Sequence, residues 1–436
     1  MVTASALAHG DPTTRFLLAV LVIVVSCHAA GLLLRRLGQP PVVGDILAGL
    51  TLGPTALGAL APETWAWLFP PDVREGLEMA AQLGIVFFMF LVGCEFEVGY
   101  VKGRGRAVGV VALAGAAAPF VCGLLLAPLL YPGHGNGAPA HGFALFLGLS
   151  LSITALPVLA GILRQQNLLG TVTGSFALAV AAVADAAAWV VLAVVLSVSS
   201  GKGVAAGLLT GVLAVAFTAA VLTGGRRGLA RLYARGDGPS AEHMVLAITA
   251  AAALAASLMT QLIGLHTIFG AFLLGAVMPR SVPAAERTAE RLGGLTRGVL
   301  LPLFFAHVAM SAEFTGVFSS TRAVFTLLGV LVVTVGAKLA AATLASRMVG
   351  FPRRQAAELG VLLNCRGLTE LVIADVGRQA GLIDNYLFTV LVVVALVTTA
   401  VTTPLLHLVR AGDKGETETR PADRAGGAVE EPAGRV

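Results

Sequence analysis

Apolar residues run along this chain in long blocks, each closed by glycine, proline or a cluster of basic residues. The first block, Phe16 to Leu34, has no acidic side chain and one basic one, His28, and ends on Arg35 and Arg36. At about 1.5 Å of rise per residue, a helix of ~20 apolar residues crosses the ~30 Å hydrocarbon layer of a bilayer. Blocks of this kind predict thirteen spans, roughly at 16–34, 42–58, 78–99, 107–131, 141–163, 172–198, 203–222, 242–262, 265–279, 298–312, 323–346, 355–377 and 385–409. The predicted fold class is therefore an all-α polytopic membrane protein. The first block is too long for the apolar part of a secretory signal, and its arginines follow rather than precede it, so it reads as a retained helix.

Composition agrees. Of 436 residues, 57% are hydrophobic and 12% charged, against about 25% charged in soluble domains. The four cysteines, Cys27, Cys94, Cys122 and Cys365, lie in or beside apolar blocks without metal-ligand spacing, which suits packing better than a disulfide framework. The net charge of +5 is not a nucleic-acid footprint, because the basic residues sit in short loops.

Their distribution carries topology instead. Alternate loops hold eighteen Lys and Arg on one side, from Arg35 to Arg410, and five on the other: Arg15, Arg74, Lys202, Arg322 and Arg378. By the positive-inside rule this puts the N-terminus outside and the C-terminus in the cytoplasm. The expected domains are a transmembrane domain over 1–410 and a disordered cytoplasmic tail over 411–436, which is polar and aperiodic.

Chemistry concentrates at a few polar residues inside apolar blocks. Asp185 lies in AAVADAAAWVVL, where a charge costs roughly 3 kcal/mol at a helix centre on insertion scales. It reads as an ion or proton site, or as a hydrogen-bonding link between helices. The fifth block, SLSITALPVLAGIL, is interrupted by Ser150, Ser152, Thr154 and Pro157, and the twelfth, LLNCRGLTELVIADVG, by Asn364, Arg366, Gly367, Thr369 and Glu370. Broken helices seven spans apart point to inverted-topology repeats around a midplane site. VVGDILAGLTLGP and IFGAFLLGAVMP, also seven spans apart, repeat the pattern with Gly44, Gly49 and Pro54 against Gly270, Gly275 and Pro279.

The segments QPPVVGDILAGLTLGP, LGIVFFMFLVGCEFE, SITALPVLAGIL, AAVADAAAW, GLHTIFGAFLLGAVMP, LPLFFAHVAM and NCRGLTELV occur in an order that resembles the bacterial Na⁺/H⁺ and K⁺/H⁺ antiporters of the cation:proton antiporter superfamily, Kef-like branch. The resemblance runs from about Phe16 to Val409. It implies a homodimer, each protomer with a dimerisation part (spans one to three and seven to ten) and a mobile core part (approximately 107–198 and 323–409). The family carries two polar residues before the tryptophan helix turn. Here they are Ala184 and Asp185, so the ion- and proton-binding role passes to Asp185 and the first acid is lost. Lys338 matches a family lysine that pairs with that first acid.

Several residues have two readings. Lys338 pairs with Asp185 or snorkels to the interface. Arg366 and Glu370 form an i,i+4 ion pair or neutralise helix dipole ends. Thr154 is a cation ligand or bonds back to its own helix. Asp45, Glu95 and Glu97 line an access funnel or are acids near helix ends. His28, His266 and His307 are packing imidazoles or pH-responsive groups.

The expected function is secondary antiport of Na⁺ or K⁺ against H⁺ by alternating access in a cell membrane, with no enzymatic activity and no cofactor. Asp185 would bind the cation, Thr154 and Lys338 would share the ion and proton site, and Ala184, Pro157, Asn364, Arg366 and Glu370 would line or support it. Export of an organic or ionophoric metabolite, enlarged access being given by Ala184, and a non-transporting sensor or channel are the alternatives. The expected partners are the cation, the proton, the bilayer and a second copy of the chain, and no nucleic acid.

Overall fold

A computed structural model describes residues 11–37, 39–95, 104–169, 171–199, 203–234, 239–279, 282–312, 314–317 and 320–411. Glu97 and the expected tail beyond Ala411 fall outside these residues. Every described element is helical, and no strand occurs among the described residues.

The first half contains α1 (Pro12–Arg36), α2 (Pro41–Leu52), the short α3 (Leu57–Leu60) and α4 (Pro62–Leu68), α5 (Pro71–Glu95), α6 (Gly105–His134), α7 (Ala140–Ser152), α8 (Leu156–Gln165), α9 (Val172–Ser199) and α10 (Gly203–Ala220). The second half contains α11 (Arg226–Ala234), α12 (Pro239–Ile263), α13 (Thr267–Ala276), α14 (Pro283–Leu295), α15 (Leu301–Met310), the short α16 (Phe314–Val317), α17 (Thr321–Met348), α18 (Arg353–Leu363), α19 (Leu368–Gln379) and α20 (Asn385–Ala411). Proline stands in the first turn of α1, α2, α4 and α14. Its missing N–H costs nothing there and its fixed φ suits the helix.

Among the described residues, ten helices are long and apolar enough to cross a membrane, with α7 and α13 as shorter apolar helices. Two helices run further than the apolar pattern suggests. α10 passes through a π-helical turn, Val221–Gly225, into the basic α11, and α14 passes through a second, Thr296–Leu300, into α15. Hydropathy hides the first of these extensions behind Arg226 and Arg227, and the second behind Glu286, Arg287, Glu290 and Arg291, yet no proline or capping residue stops either helix.

Helices approach closely where side chains are absent. A Cβ on Gly93 of α5 would lie 2.2 Å from the Phe272 carbonyl oxygen, and one on Gly275 of α13 would lie 2.0 Å from that of Phe90. Small residues of this kind allow the backbone contact that drives helix association in lipid.

Two apolar segments are broken in mid-course. α7 stops at Ser152, and Ile153, Thr154 and Ala155 pass in extended form to α8. α18 stops at Leu363, and the chain passes through Asn364, Cys365, Arg366 and Gly367 to α19. Gly367 has φ +151° and ψ −121°, a region open to glycine and strained for other residues. A Cβ there would also meet Val158 Cγ2 at 2.7 Å. Gly367→Ala is therefore expected to destabilise the protein by about 1–3 kcal/mol, read as a lower melting temperature in detergent. A wild-type melting temperature would show that the break tolerates a side chain.

Candidate functional site

The two breaks are bonded to each other. Ala155 N donates to Cys365 O at 3.3 Å, and Thr154 Oγ1 donates to Leu363 O at 3.2 Å. Thr154 thus does not bond back to its own helix. Its hydroxyl ties one break to the other and keeps oxygen lone pairs free for a further ligand.

A helix that stops and restarts inside a membrane leaves carbonyls on one side of the break and N–H groups on the other, with opposite partial charges. Side chains from other helices answer both. Arg366 is fully buried; its Nη1 donates to Ser150 O at 2.8 Å and its Nη2 to Leu151 O. Lys338 of α17, 1% exposed, donates to Ser152 O. Three successive carbonyls at the end of α7 therefore face two cations. At the start of α8, Leu156 N donates to Asp185 Oδ2 at 3.2 Å.

Asp185 lies on α9 and is 2% exposed. Its other oxygen, Oδ1, has no donor among the described residues, and neither has the buried Oδ1 of Asn364. These two oxygens and Thr154 Oγ1 are all buried at the crossing and are of the hard, oxygen-donor type. No cluster of three or more His, Cys, Asp or Glu that could hold a metal ion occurs among the described residues.

Of the other expected residues, Ala184 is half-buried beside Asp185 on α9, and Pro157 stands in the first turn of α8. Arg366 and Glu370 do form an ion pair, Nη1 to Oε1 at 2.6 Å, with both side chains fully buried. The same guanidinium also neutralises the α7 terminus, so both earlier readings of Arg366 apply. Lys338 neither snorkels nor hydrogen-bonds Asp185; its partner is the Ser152 carbonyl. Glu95 pairs with Arg297 at 3.0 Å near the molecular surface. Asp45 is half-buried on α2, with its carbonyl accepting from Cys27 Sγ. His28 bonds Val24 O in its own helix, His266 precedes α13 with Nδ1 3.4 Å from Thr267 Oγ1, and His307 is half-buried in α15.

Sequence reasoning missed Thr399 of α20, whose hydroxyl donates to Arg366 O. It also missed that the carbonyls of Ser150 to Ser152 accept from Arg366 and Lys338. A buried hydroxyl in an apolar span was a usable signal for Thr399, whereas backbone carbonyls leave none.

A helical membrane bundle with paired helix breaks around buried charged residues defines a carrier-type transporter scaffold. Residues 19–409 match the family described as "Sodium/hydrogen exchanger, transmembrane", and the chain belongs to that family. The Na(+)/H(+) antiporter NhaS4 of Synechocystis is 32% identical over 89% of this chain and 95% of its own length. The Cation/H(+) antiporter 19 of Arabidopsis thaliana is 33% identical over 90% of this chain, which spans 49% of that protein. Thus the chain spans about half the length of the Arabidopsis relatives it matches and nearly all of NhaS4. The sodium proton antiporter MjNhaP1 from Methanocaldococcus jannaschii shares the fold, with a TM-score of 0.66 at 14% identity over 93% of this chain and 98% of that one.

Arg366→Ala removes three hydrogen bonds and strands the buried Glu370 carboxylate. Breaking one side of a buried pair costs about 3–5 kcal/mol. The expected result is a large loss of folded protein on size-exclusion profiles, with Arg366→Lys only partly restoring it because one ammonium cannot span the Ser150, Leu151 and Glu370 acceptors. A monodisperse, thermally normal alanine variant that fails to transport would instead make Arg366 a mechanistic residue.

Proposed function

We propose that the protein is a secondary antiporter exchanging Na⁺ or K⁺ for H⁺, with Asp185 as the shared cation and proton site. The observation that carries this is the placement of Asp185. One carboxylate oxygen is anchored on the N-terminus of α8, and the other is buried beside the crossing without a donor among the described residues. An ionised Asp185, with Thr154 and Asn364 oxygens, holds a dehydrated cation; a protonated Asp185 does not. Cation and proton therefore exclude each other at one site.

We take the chain to have thirteen spans in two inverted repeats. Helix packing supports this. A Cβ on Gly44 of α2 would clash with Gly31 of α1, and its counterpart Gly270 of α13 with Ala256 of α12. Gly49 of α2 abuts Ala306 of α15, and its counterpart Gly275 of α13 abuts Phe90 of α5. Numbering spans by a seven-span repeat, the first pair joins span two to one and nine to eight, while the second joins two to ten and nine to three. Each contact is the image of the other under one two-fold operation. Gly148 against Phe120 O and Gly360 against Leu339 O extend the symmetry to the broken helices, joining span five to four and twelve to eleven.

In this reading the core part (107–198 and 323–409) moves against the dimerisation part, and two copies associate through the latter. The basic loops face the cytoplasm across a cell membrane.

Asp185→Asn keeps volume and hydrogen bonding but cannot exchange a proton. In proteoliposomes with an imposed pH gradient, its cation-dependent proton flux should fall to that of empty vesicles, with folding unchanged. Wild-type flux in this variant would remove Asp185 from the mechanism.

With Ala184 beside it, Asp185 is the one acid of the paired-acid position, so exchange should be one proton for one cation. Membrane voltage biases a cycle that moves one net charge by roughly 2.3 kcal/mol per 100 mV, and should leave this one unbiased. The check is a K⁺/valinomycin potential imposed on Na⁺-loaded vesicles. A voltage-shifted equilibrium would overturn one-for-one exchange, and its loss in Lys338→Gln would assign the second titrating group to the lysine.

A further inference from the structure

Two adjoining cavities lie at the end of the bundle that the charge bias assigns to the cytoplasm. The outer, of about 470 Å³, is lined by Glu95, Arg164, Glu286, Glu290 and Arg297 together with apolar residues. The inner, of about 560 Å³, shares Glu95, Arg164 and Arg297 with the first and reaches Leu156 and Ala182. Leu156 is the residue whose N–H holds Asp185, and Ala182 lies one helical turn before Asp185 on α9. The cavities thus form a path from the surface to the flank of the buried carboxylate.

The charges on that path are unexpected for a cation route. The inner cavity is lined by one carboxylate, Glu95, and two guanidiniums, Arg164 and Arg297. Glu95 sits in the last turn of α5, and Arg297 reaches it from the π-helical turn Thr296–Leu300, Nη2 to Oε1 at 3.0 Å. π turns recur at functional positions in helices. The pair is open to water, with side chains 60% and 47% exposed. Exposed ion pairs are weak because solvent competes for both partners. A mobile cation competes for Glu95 on similar terms.

We propose that Glu95 and Arg297 form an exchangeable ion pair, in which Na⁺ or K⁺ arriving from the cytoplasm replaces the guanidinium on Glu95 before passing to Asp185. Arg297 is then a built-in competitor that sets the cytoplasmic affinity. Glu95 holds this role rather than Glu286 or Glu290 because it lines both cavities, and they line the outer one alone. The inference rests on the antiport reading and adds to it a specificity-determining pair distant from the Asp185 carboxylate.

The test measures KM for Na⁺ and for K⁺ presented on the cytoplasmic side of orientation-sorted proteoliposomes. Arg297→Gln should lower KM by roughly two- to fivefold, the range that an exposed pair spans, with kcat unchanged. Glu95→Gln should raise it by a similar factor, and KM from the opposite side should not move. Arg297→Gln made in the Glu95→Gln background should leave KM where Glu95→Gln put it. An equal gain in both backgrounds would show that Arg297 acts through its field alone and would overturn the exchange.

A second readout needs no transport. Cys94 lines both cavities beside Glu95 and is not in a disulfide. Its modification by a trimethylammonium methanethiosulfonate and by a sulfonate analogue can be followed by mass spectrometry. At equal ionic strength, Na⁺ in place of N-methylglucamine should slow the cationic reagent in the wild type and not in Glu95→Gln. Equal rates in the wild type would overturn the proposal. Wild-type protein with this labelling effect but no cation-driven proton flux would instead overturn the antiport reading and leave the cation contact standing.

Discussion

The site depends on a single constraint: a helix that ends inside a membrane must find partners for its last carbonyls. Each unpaired polar group there costs several kcal/mol. In α7 the carbonyls of Ser150, Leu151 and Ser152 are answered by Arg366 and Lys338, which come from the second break and from α17. The break in one segment is therefore tied to the break in the other. At α8 the polarity reverses, and an anion, Asp185, meets the exposed N–H of Leu156. Cations at the carbonyl end and a carboxylate at the amide end follow the sign of the helix dipoles. Because Oδ2 alone is committed to the backbone, a ligand can reach Oδ1 without dismantling the crossing.

Much of this was legible in the sequence, for identifiable reasons. Apolar blocks of membrane length located the helices, and Pro157, Gly367 and the hydroxyl residues between Ser150 and Thr154 marked the breaks, because those residue types interrupt helical bonding. The Arg366–Glu370 pair followed from i,i+4 spacing. The partner of Lys338 did not. The sequence suggested Asp185, since acids are visible and carbonyls are not, whereas the ammonium bonds Ser152 O. Arg164 and Arg297 were legible as topology signals and nothing more, because their convergence on Glu95 requires three helices to be brought together.

The continuous helix through α14 and α15 illustrates how the fold positions chemistry that hydropathy conceals. Its first half is amphipathic, with Arg287 and Arg291 held by Glu242 of α12. Its second half is apolar and packs on α2 and α5. The π turn between them places Arg297 where the polar half gives way to the apolar one. A helix stopped at the edge of the apolar block would have put this arginine in a loop, with no fixed relation to Glu95.

Replacing the first acid by Ala184 leaves a charge balance that bears on the proposed cycle. Asp185 and Glu370 oppose Lys338 and Arg366, so with all four ionised the buried group is neutral. Binding Na⁺ to Asp185 makes it +1, and binding a proton makes it +1 as well. The two loaded forms then present the same charge to the low-dielectric surroundings, and the electrostatic cost of moving the core part is matched between them. A second carboxylate at position 184 would leave the unloaded group at −1, and would make its cost depend on how many protons the two acids share. Alanine removes that dependence. It also leaves Lys338 without an acidic partner at that position, which is consistent with the lysine serving the Ser152 carbonyl instead.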